Sequence, residues 1–223
     1  MPKLSPLQQD ERRARILDAA EICFARAGFH RTTMQDICKE AGISAGALYL
    51  YFDSKEALIA GIVGRDRQEV LSRFAALEHE PDMLAGLQNV MRSCIIDRPR
   101  HKSVLIVEIG AEGTRNAAIA RFIADCDTAI RASLLGLLER AVAEGRLAPT
   151  VPPAKLVPMM ELLADGMFWR RAIQPDFDAN AVMPVILAAI GPLLGARQEM
   201  PERYAAAPHS EIAVARHATE ALA

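Results

Sequence analysis

The stretch TTMQDICKEAGISAGALYLYF, residues 32–52, decides the fold. It holds two short segments with helical spacing of apolar residues, separated by Gly42, which tolerates the left-handed backbone that ends a helix. Thr32 and Gln35 have the spacing of a capping box for the first segment, and Ser44 can cap the second. Two short helices joined by a tight turn are typical of a helix-turn-helix, and the stretch predicts one.

The second short helix has a small outer face, which lets its backbone approach a partner closely. Its outward positions are Ser44, Ala45, Gly46 and Ala47. Hydroxyl groups and a positive charge follow at Tyr49, Tyr51 and Lys55. Together with two helix N-termini, this set fits a phosphate backbone on both sides of a groove. The alternative is that the tyrosines are half-buried packing residues and Lys55 is solvated.

The rest of the chain predicts an all-α protein. Helical spacing dominates and gives about nine helices, four in an N-terminal unit and five in a larger C-terminal one. We expect a helix-turn-helix domain over residues 10–56, linked by a fourth helix over about 54–78 that Asp53 or Ser54 caps. A larger domain is expected over 81–196, with a kink or a late start near Pro158 and Pro184. The tail 197–223 forms one more helix from Ser210 or stays mobile.

Composition excludes several classes. The net charge is −2 and the sequence pI about 6.2, so nucleic-acid binding has to rest on a local surface. The longest apolar run, residues 181–196, is too short for a membrane span and contains two prolines. The four cysteines form no CxxC pair and read as reduced thiols. We expect a cytoplasmic protein without a membrane partner.

Catalytic motifs are missing from the sequence. There is no GxSxG, no HExxH and no phosphate-binding glycine loop, and the five histidines are scattered. The sequence therefore predicts no catalytic residue, no metal and no cofactor, and it disfavours an enzyme on a helical scaffold.

The sequence TMQDICKEAGISAGALYLYFDSKEAL, residues 33–58, closely resembles the DNA-binding signature of the TetR family of bacterial transcriptional regulators. The likeness covers roughly residues 12–60, with a looser one in AEGRL and ELLADGMFWRRAIQPDFD. It implies a three-helix DNA-binding head followed by a larger helical domain for ligand binding and dimerisation.

The resemblance also implies roles for individual residues. Thr33 and Gln35 are expected to face DNA at the start of the second helix, and Ser44, Ala45, Gly46 and Ala47 lie on the recognition helix. Tyr49, Tyr51 and Lys55 are expected to contact phosphates. Cys38 departs from the alanine that is common in the family. Because the recognition helix lacks Arg, Asn and Gln, base readout is expected from Gln35, Ser44, methyl contacts of Ala45 or Ala47, and DNA shape.

The C-terminal domain is expected to bind a small apolar or aromatic effector, with a plant phenolic or flavonoid as one candidate. The predicted pocket residues are Met91, Cys94, Ile95, Leu105, Glu108, Ile109, Phe122, Cys126, Met160, Leu163, Met167, Phe168, Trp169 and Arg170. Glu108 or Arg170 would orient the ligand. The alternative for each apolar member is ordinary core.

The last predicted helices are apolar almost all round, which favours a homodimer interface. Its predicted members are Val182, Val185, Ile186, Leu187, Ile190 and Leu193. Two heads would then bind a near-palindromic double-stranded operator, and the effector would release it. The alternative function is an effector-independent DNA-binding or architectural protein of the same fold.

Overall fold

The structure is a computed structural model that describes residues 5–195. Over these residues the chain forms nine α-helices and no strand. They are α1 (Pro6–Arg31), α2 (Met34–Ala41), α3 (Ala45–Tyr49), α4 (Lys55–Ala76), α5 (Met83–Ile95), α6 (Arg100–Gly113), α7 (Ala117–Ala143), α8 (Pro153–Ile173) and α9 (Ala179–Ile190). The all-α prediction is confirmed. The predicted tail, 197–223, lies outside the described residues.

The start of α2 corrects the capping prediction by one residue. Thr33, not Thr32, is the N-cap, and its hydroxyl accepts from the backbone N–H of Asp36. The Asp36 carboxylate in turn accepts from the Thr33 backbone N–H, which completes a capping box. Thr32 is buried and donates its hydroxyl to the Gly28 carbonyl at 2.8 Å, so it closes α1 instead.

The predictions that Gly42 ends α2, that Ser44 caps α3 and that Asp53 or Ser54 caps α4 are confirmed. Gly28 breaks the helical backbone near the end of α1 with φ 77°, and Gly42 ends α2 in the left-handed region. Ser44 caps α3 through the N–H of Ala47, and Ser54, rather than Asp53, caps α4. These caps fix the angle between two helices that are too short to be stable alone.

The head core is formed by the apolar faces of α1 to α4. Ile16, Phe24, Ile37, Leu48 and Leu58 are at most 1% exposed and pack in one cluster. The same cluster takes in three residues from the larger domain: Leu105, Ile109 and Ile119. The head is therefore packed onto the body through a shared apolar core.

The body consists of α5 to α9 packed on the C-terminal part of α4. Two apolar clusters fill it, one around α4, α5, α7 and α8 and the other between α5, α8 and α9. Neither α8 nor α9 starts late, because Pro158 and Pro184 are each the sixth residue of their helix. α6 lies between α1 and α8, in contact with both. None of the described helices is long and apolar enough to cross a membrane.

Candidate nucleic-acid interface

The outer face of α2 and α3 is an exposed groove. Seven residues line it: Met34, Gln35, Cys38, Lys39, Ile43, Ala45 and Tyr49. Of the predicted DNA-binding residues, Thr33, Gln35, Ser44, Ala45, Gly46 and Tyr49 are exposed, and Ala47 is partly buried. A Cβ atom at Gly46 would meet no neighbouring atom, so this side of α3 is open. We name this surface the α2–α3 face.

At the N-terminal end of this face, Thr33 and Asp36 are already bonded to each other. The Thr33 hydroxyl donates to Asp36 Oδ2 at 2.6 Å. This hydrogen bond, together with that from the Thr33 backbone N–H, lowers the pKa of the Asp36 carboxyl. The negative charge of Asp36 stabilises the start of α2, where the helix dipole is positive.

The two tyrosines have different surroundings. Tyr49 is 54% exposed on the α2–α3 face, whereas Tyr51 is partly buried and packs against the head core. Packing in the head core thus explains why a tyrosine ring lies at position 51, but it does not explain the exposed ring of Tyr49. Leu50 lies between them and is 83% exposed, which sequence reasoning missed.

Lys55 is turned toward α1. Its ammonium donates to the Phe29 carbonyl at 2.5 Å and lies 4.3 Å from the centroid of the Phe29 ring. These contacts tie the start of α4 to the end of α1, and a phosphate contact would have to compete with them. Neither the predicted phosphate role nor the alternative of a solvated side chain includes this contact.

Lys39 is a cation on the α2–α3 face that sequence reasoning overlooked. It is exposed, and its ammonium makes no hydrogen bond or salt bridge within residues 5–195. It follows Gln35 by four residues on α2, so both side chains lie on one side of the helix. That spacing is visible in the sequence and could have identified Lys39.

The predicted pocket residues fall into several parts of the structure. Met91, Ile95, Met167 and Phe168 pack in the cluster at α9, while Met160 and Leu163 belong to the neighbouring one. Cys94 borders both clusters. Phe122 and Cys126 are partly exposed on α7, and burial raises the pKa of the Cys126 thiol to about 11.

Five of the predicted pocket residues lie away from these two clusters. Leu105 and Ile109 pack into the head core, and Glu108 Oε2 would lie 3.2 Å from a Cβ atom built at Gly28. These three residues therefore face α1, across the contact between head and body. Trp169 is 52% exposed and Arg170 is also exposed, because both lie on the outer side of α8.

The predicted dimer surface also changes. Ile190 is 2% exposed inside its own chain, so it is core and not available to a partner. Val182, Ile186, Leu187 and Leu193 are partly buried, and Val185 is 49% exposed. Three exposed residues of α8 are absent from the predicted dimer surface. Leu162 is 72% exposed and Ile173 is 48% exposed, and Trp169 is predicted in the pocket instead.

These three residues form one stripe, which we call the α8 face. Their spacings of seven and four residues place them on the same side of the helix. Gly166 lies between Leu162 and Trp169 on this side, and a Cβ atom there would meet no neighbouring atom. The stripe is therefore apolar and open to close approach by another helix.

Comparison with known proteins agrees with this geometry. The family model for bacterial regulatory proteins of the tetR family matches residues 16–62. The transcriptional regulator UidR of Escherichia coli K12 is 34% identical over 145 residues, which cover 64% of this chain and 72% of UidR. The structure of Salmonella enterica GusR matches with a TM-score of 0.69 at 30% identity, over 86% of this chain and 98% of GusR.

A third comparison concerns the fold alone. The structure of SmeT in complex with triclosan matches with a TM-score of 0.67 at 21% identity, over 80% of this chain and 90% of SmeT. SmeT therefore shares the helical architecture of this chain.

The fold and the exposed α2–α3 face define a helix-turn-helix DNA-binding protein. The chain belongs to the TetR family of bacterial transcriptional regulators.

Proposed function

We propose that the chain is a dimeric, ligand-responsive repressor that works in the cytoplasm on a near-palindromic operator. The observation that carries this proposal is the α2–α3 face. It is open and lined by small residues of α3, with Gln35, Lys39 and Tyr49 as its long polar side chains. A surface of this shape lets a helix enter a major groove while longer side chains reach past it.

Base readout is assigned mainly to α2. Gln35 can form a bidentate pair with adenine, and Ser44 and the methyl groups of Ala45 and Ala47 supply short contacts from α3. Tyr49 and Lys39 supply a hydroxyl group and a charge for the phosphate backbone. Thr33 and Gly46 lie at the edge of the same surface. Tyr51 and Lys55 support it from behind through the contacts with the head core and with Phe29.

Dimerisation is assigned to the α8 face with Val185 of α9. Exposed Leu162, Trp169 and Ile173 surround an open glycine, and burying large apolar side chains against a second copy would stabilise the pair. Two-fold symmetry would then present two heads to half-sites about 34–36 Å apart, which is one turn of DNA.

The effector is proposed to be small and apolar or aromatic. Support comes from the methionine-rich clusters at α5, α8 and α9, since methionine side chains adapt to varied shapes. Triclosan bound to SmeT is an example of such a ligand in the same fold. Phenolics and flavonoids are the first compounds to screen by thermal shift, because a ligand that binds the folded state raises the melting temperature, increasingly so as its concentration exceeds its Kd.

Fluorescence anisotropy tests the proposed function. The purified protein is titrated at ~150 mM salt, where non-specific binding is weak, against the DNA upstream of its gene and a scrambled DNA of equal length. We expect a preference of ~10³-fold or more for the upstream DNA, which an active effector then abolishes. A screen in which no compound changes either stability or DNA affinity would favour the effector-independent function.

A further inference from the structure

Glu21 is a buried carboxylate in the middle of α1. It is 2% exposed, and its Oε1 atom accepts from two cations on two other helices. One is the guanidinium of Arg65 on α4 and the other is the ammonium of Lys102 on α6. A single oxygen of the head thus joins the linking helix and the body.

A chain of ion pairs extends from this oxygen along α4. Arg65 also pairs with Asp18 at 2.8 Å, and Lys102 pairs with Asp66 at 3.4 Å. Arg98, just before α6, then reaches Asp66 at 3.6 Å and Glu69 at 2.6 Å. Glu21 and Lys102 are largely removed from water, so separating them would cost the Glu21 carboxylate one of its two cationic partners and leave Lys102 with Asp66 alone.

The helix that carries Lys102 packs on α1 of the head, and Ile119 of α7 also joins the head core. Lys102, Leu105, Ile109 and Glu112 recur every three or four residues, so they share the side of α6 that faces α1. Leu105 and Ile109 join the head core, and Glu112 pairs with His30 at 2.9 Å. The His30 side chain is 66% exposed, which leaves Lys102–Glu21 as the enclosed ion pair of the two.

Apolar contacts and an enclosed ion pair act differently on the position of α6. Leu105 and Ile109 hold α6 against the head core, but dispersion and apolar burial have little directionality of their own. The Lys102–Glu21 pair requires a short distance and a defined approach of the ammonium to one oxygen. It therefore specifies where along α1 the helix α6 rests.

We propose that Glu21 and Lys102 are positioning residues for operator binding. Their ion pair holds each head at the angle to the body that sets the distance between the two heads. Neither residue lines the α2–α3 face, so they act through head placement rather than by contact with DNA. This inference rests on the proposed function, in which two heads bind one operator.

The test compares operators of different half-site spacing. Lys102→Met removes the charge at similar length, and Arg98→Met is the matched control, since Arg98 pairs with α4 but not with α1. Both variants are titrated against the full operator, operators with one or two base pairs inserted or deleted, and a single half-site. Thermal unfolding is measured for each variant.

Lys102→Met should lose about tenfold or more in affinity for the full operator, in the usual range of coupling between sites. It should bind the half-site as wild type does, and its preference for one spacing should flatten or shift. Arg98→Met should keep the wild-type spacing preference at a comparable loss of stability. Lys102→Arg, which keeps the charge, should restore the preference.

If Lys102→Met does not fold, Glu21→Gln takes its place, since Arg65 and Lys102 keep Asp18 and Asp66 as partners. An unchanged spacing preference in a folded variant would overturn the positioning role alone. Equal losses on half-site and full operator would overturn it as well. Failure of the wild-type protein to prefer any paired half-sites would overturn the proposed function together with this inference.

Discussion

The α2–α3 face and the α8 face are both exposed in the described part of the chain, and they differ in kind. The α2–α3 face presents small residues with a few long polar side chains, and every helix start on it is capped by a hydroxyl. The α8 face presents Leu162, Trp169 and Ile173 around an exposed glycine. A surface of small and polar side chains is suited to contact a nucleic acid, whereas a surface of large apolar side chains is suited to contact another protein. The composition of an exposed surface thus indicates the chemistry of its partner.

The largest expected effect comes from placing charge on the α8 face. The double variant Leu162→Asp, Trp169→Asp should be a monomer in analytical ultracentrifugation, because two carboxylates would face their own copies across an apolar contact. Affinity for the full operator should fall by ~100-fold or more as the second head is lost, since linked binding contributes 10²–10⁴-fold.

Val142→Asp is the matched control, because Val142 is an exposed apolar residue on α7 outside the stripe. That variant should remain a dimer. A double variant on α8 that still sediments as a dimer would show that the chain associates through another surface.

Next in size is the loss of base readout at Gln35. Gln35→Ala should cost about 1–3 kcal/mol on the preferred operator and relax the preference at one base pair per half-site. Selection from a random-sequence library measures the change. Tyr49→Phe is the control and should weaken binding to all sequences alike. A Gln35→Ala variant with an unchanged preferred sequence would remove Gln35 from base readout.

The two lysines of the head allow a sharper comparison. Lys39→Ala should leave the melting temperature unchanged, weaken binding to all sequences and lower the salt slope by about one per head. Lys55→Ala should instead cost about 1–3 kcal/mol of stability, because it removes a charged hydrogen bond to the Phe29 carbonyl and a cation–π contact. Chemical unfolding and DNA titration of both variants separate the two roles. If Lys55→Ala instead weakened DNA binding at unchanged stability, Lys55 would contact a phosphate directly.

The smallest expected effect concerns the cap of α2. Hydrogen bonds from Thr33 lower the pKa of the Asp36 carboxyl. The capping box with ionised Asp36 therefore stabilises the folded state fully at pH values above 3.8, the ordinary pKa of this group. This contribution is lost as the pH falls through the lower pKa of the folded state. Thr33→Ala should therefore lower the melting temperature slightly at pH 7, and the difference from wild type should shrink in acid. Ser44→Ala, a cap without a carboxylate partner, should show a difference that changes less with pH.

The parts of the molecule that the sequence predicts well are those set by local chemistry. Gly42, Ser44 and the apolar spacing of Ile37 and Leu48 act within a few residues, so the helix-turn-helix could be placed before any tertiary contact was known. Even there, Thr32 and Thr33 could not be told apart, because the choice depends on the buried hydrogen bond from Thr32 to the end of α1.

The positions that the sequence does not predict depend on which neighbour each helix meets. Leu105 and Ile109 have the pattern of a domain core, but their neighbour is α1 of the head. Trp169 is among the predicted pocket residues, although its spacing from Leu162 and Ile173 marks an outer stripe. The Glu21–Arg65–Lys102 cluster joins residues 44 and 81 positions apart, and no sequence spacing indicates it.

The most direct test of the account is selection of operators from a random double-stranded library with the wild-type protein. The account predicts enrichment of two inverted half-sites at a fixed spacing of about one helical turn. The selected DNA should bind as one dimer and exceed scrambled DNA by ~10³-fold or more at ~150 mM salt. Equal binding to selected and scrambled DNA would contradict the assignment of the α2–α3 face, and enrichment of single half-sites would contradict that of the α8 face.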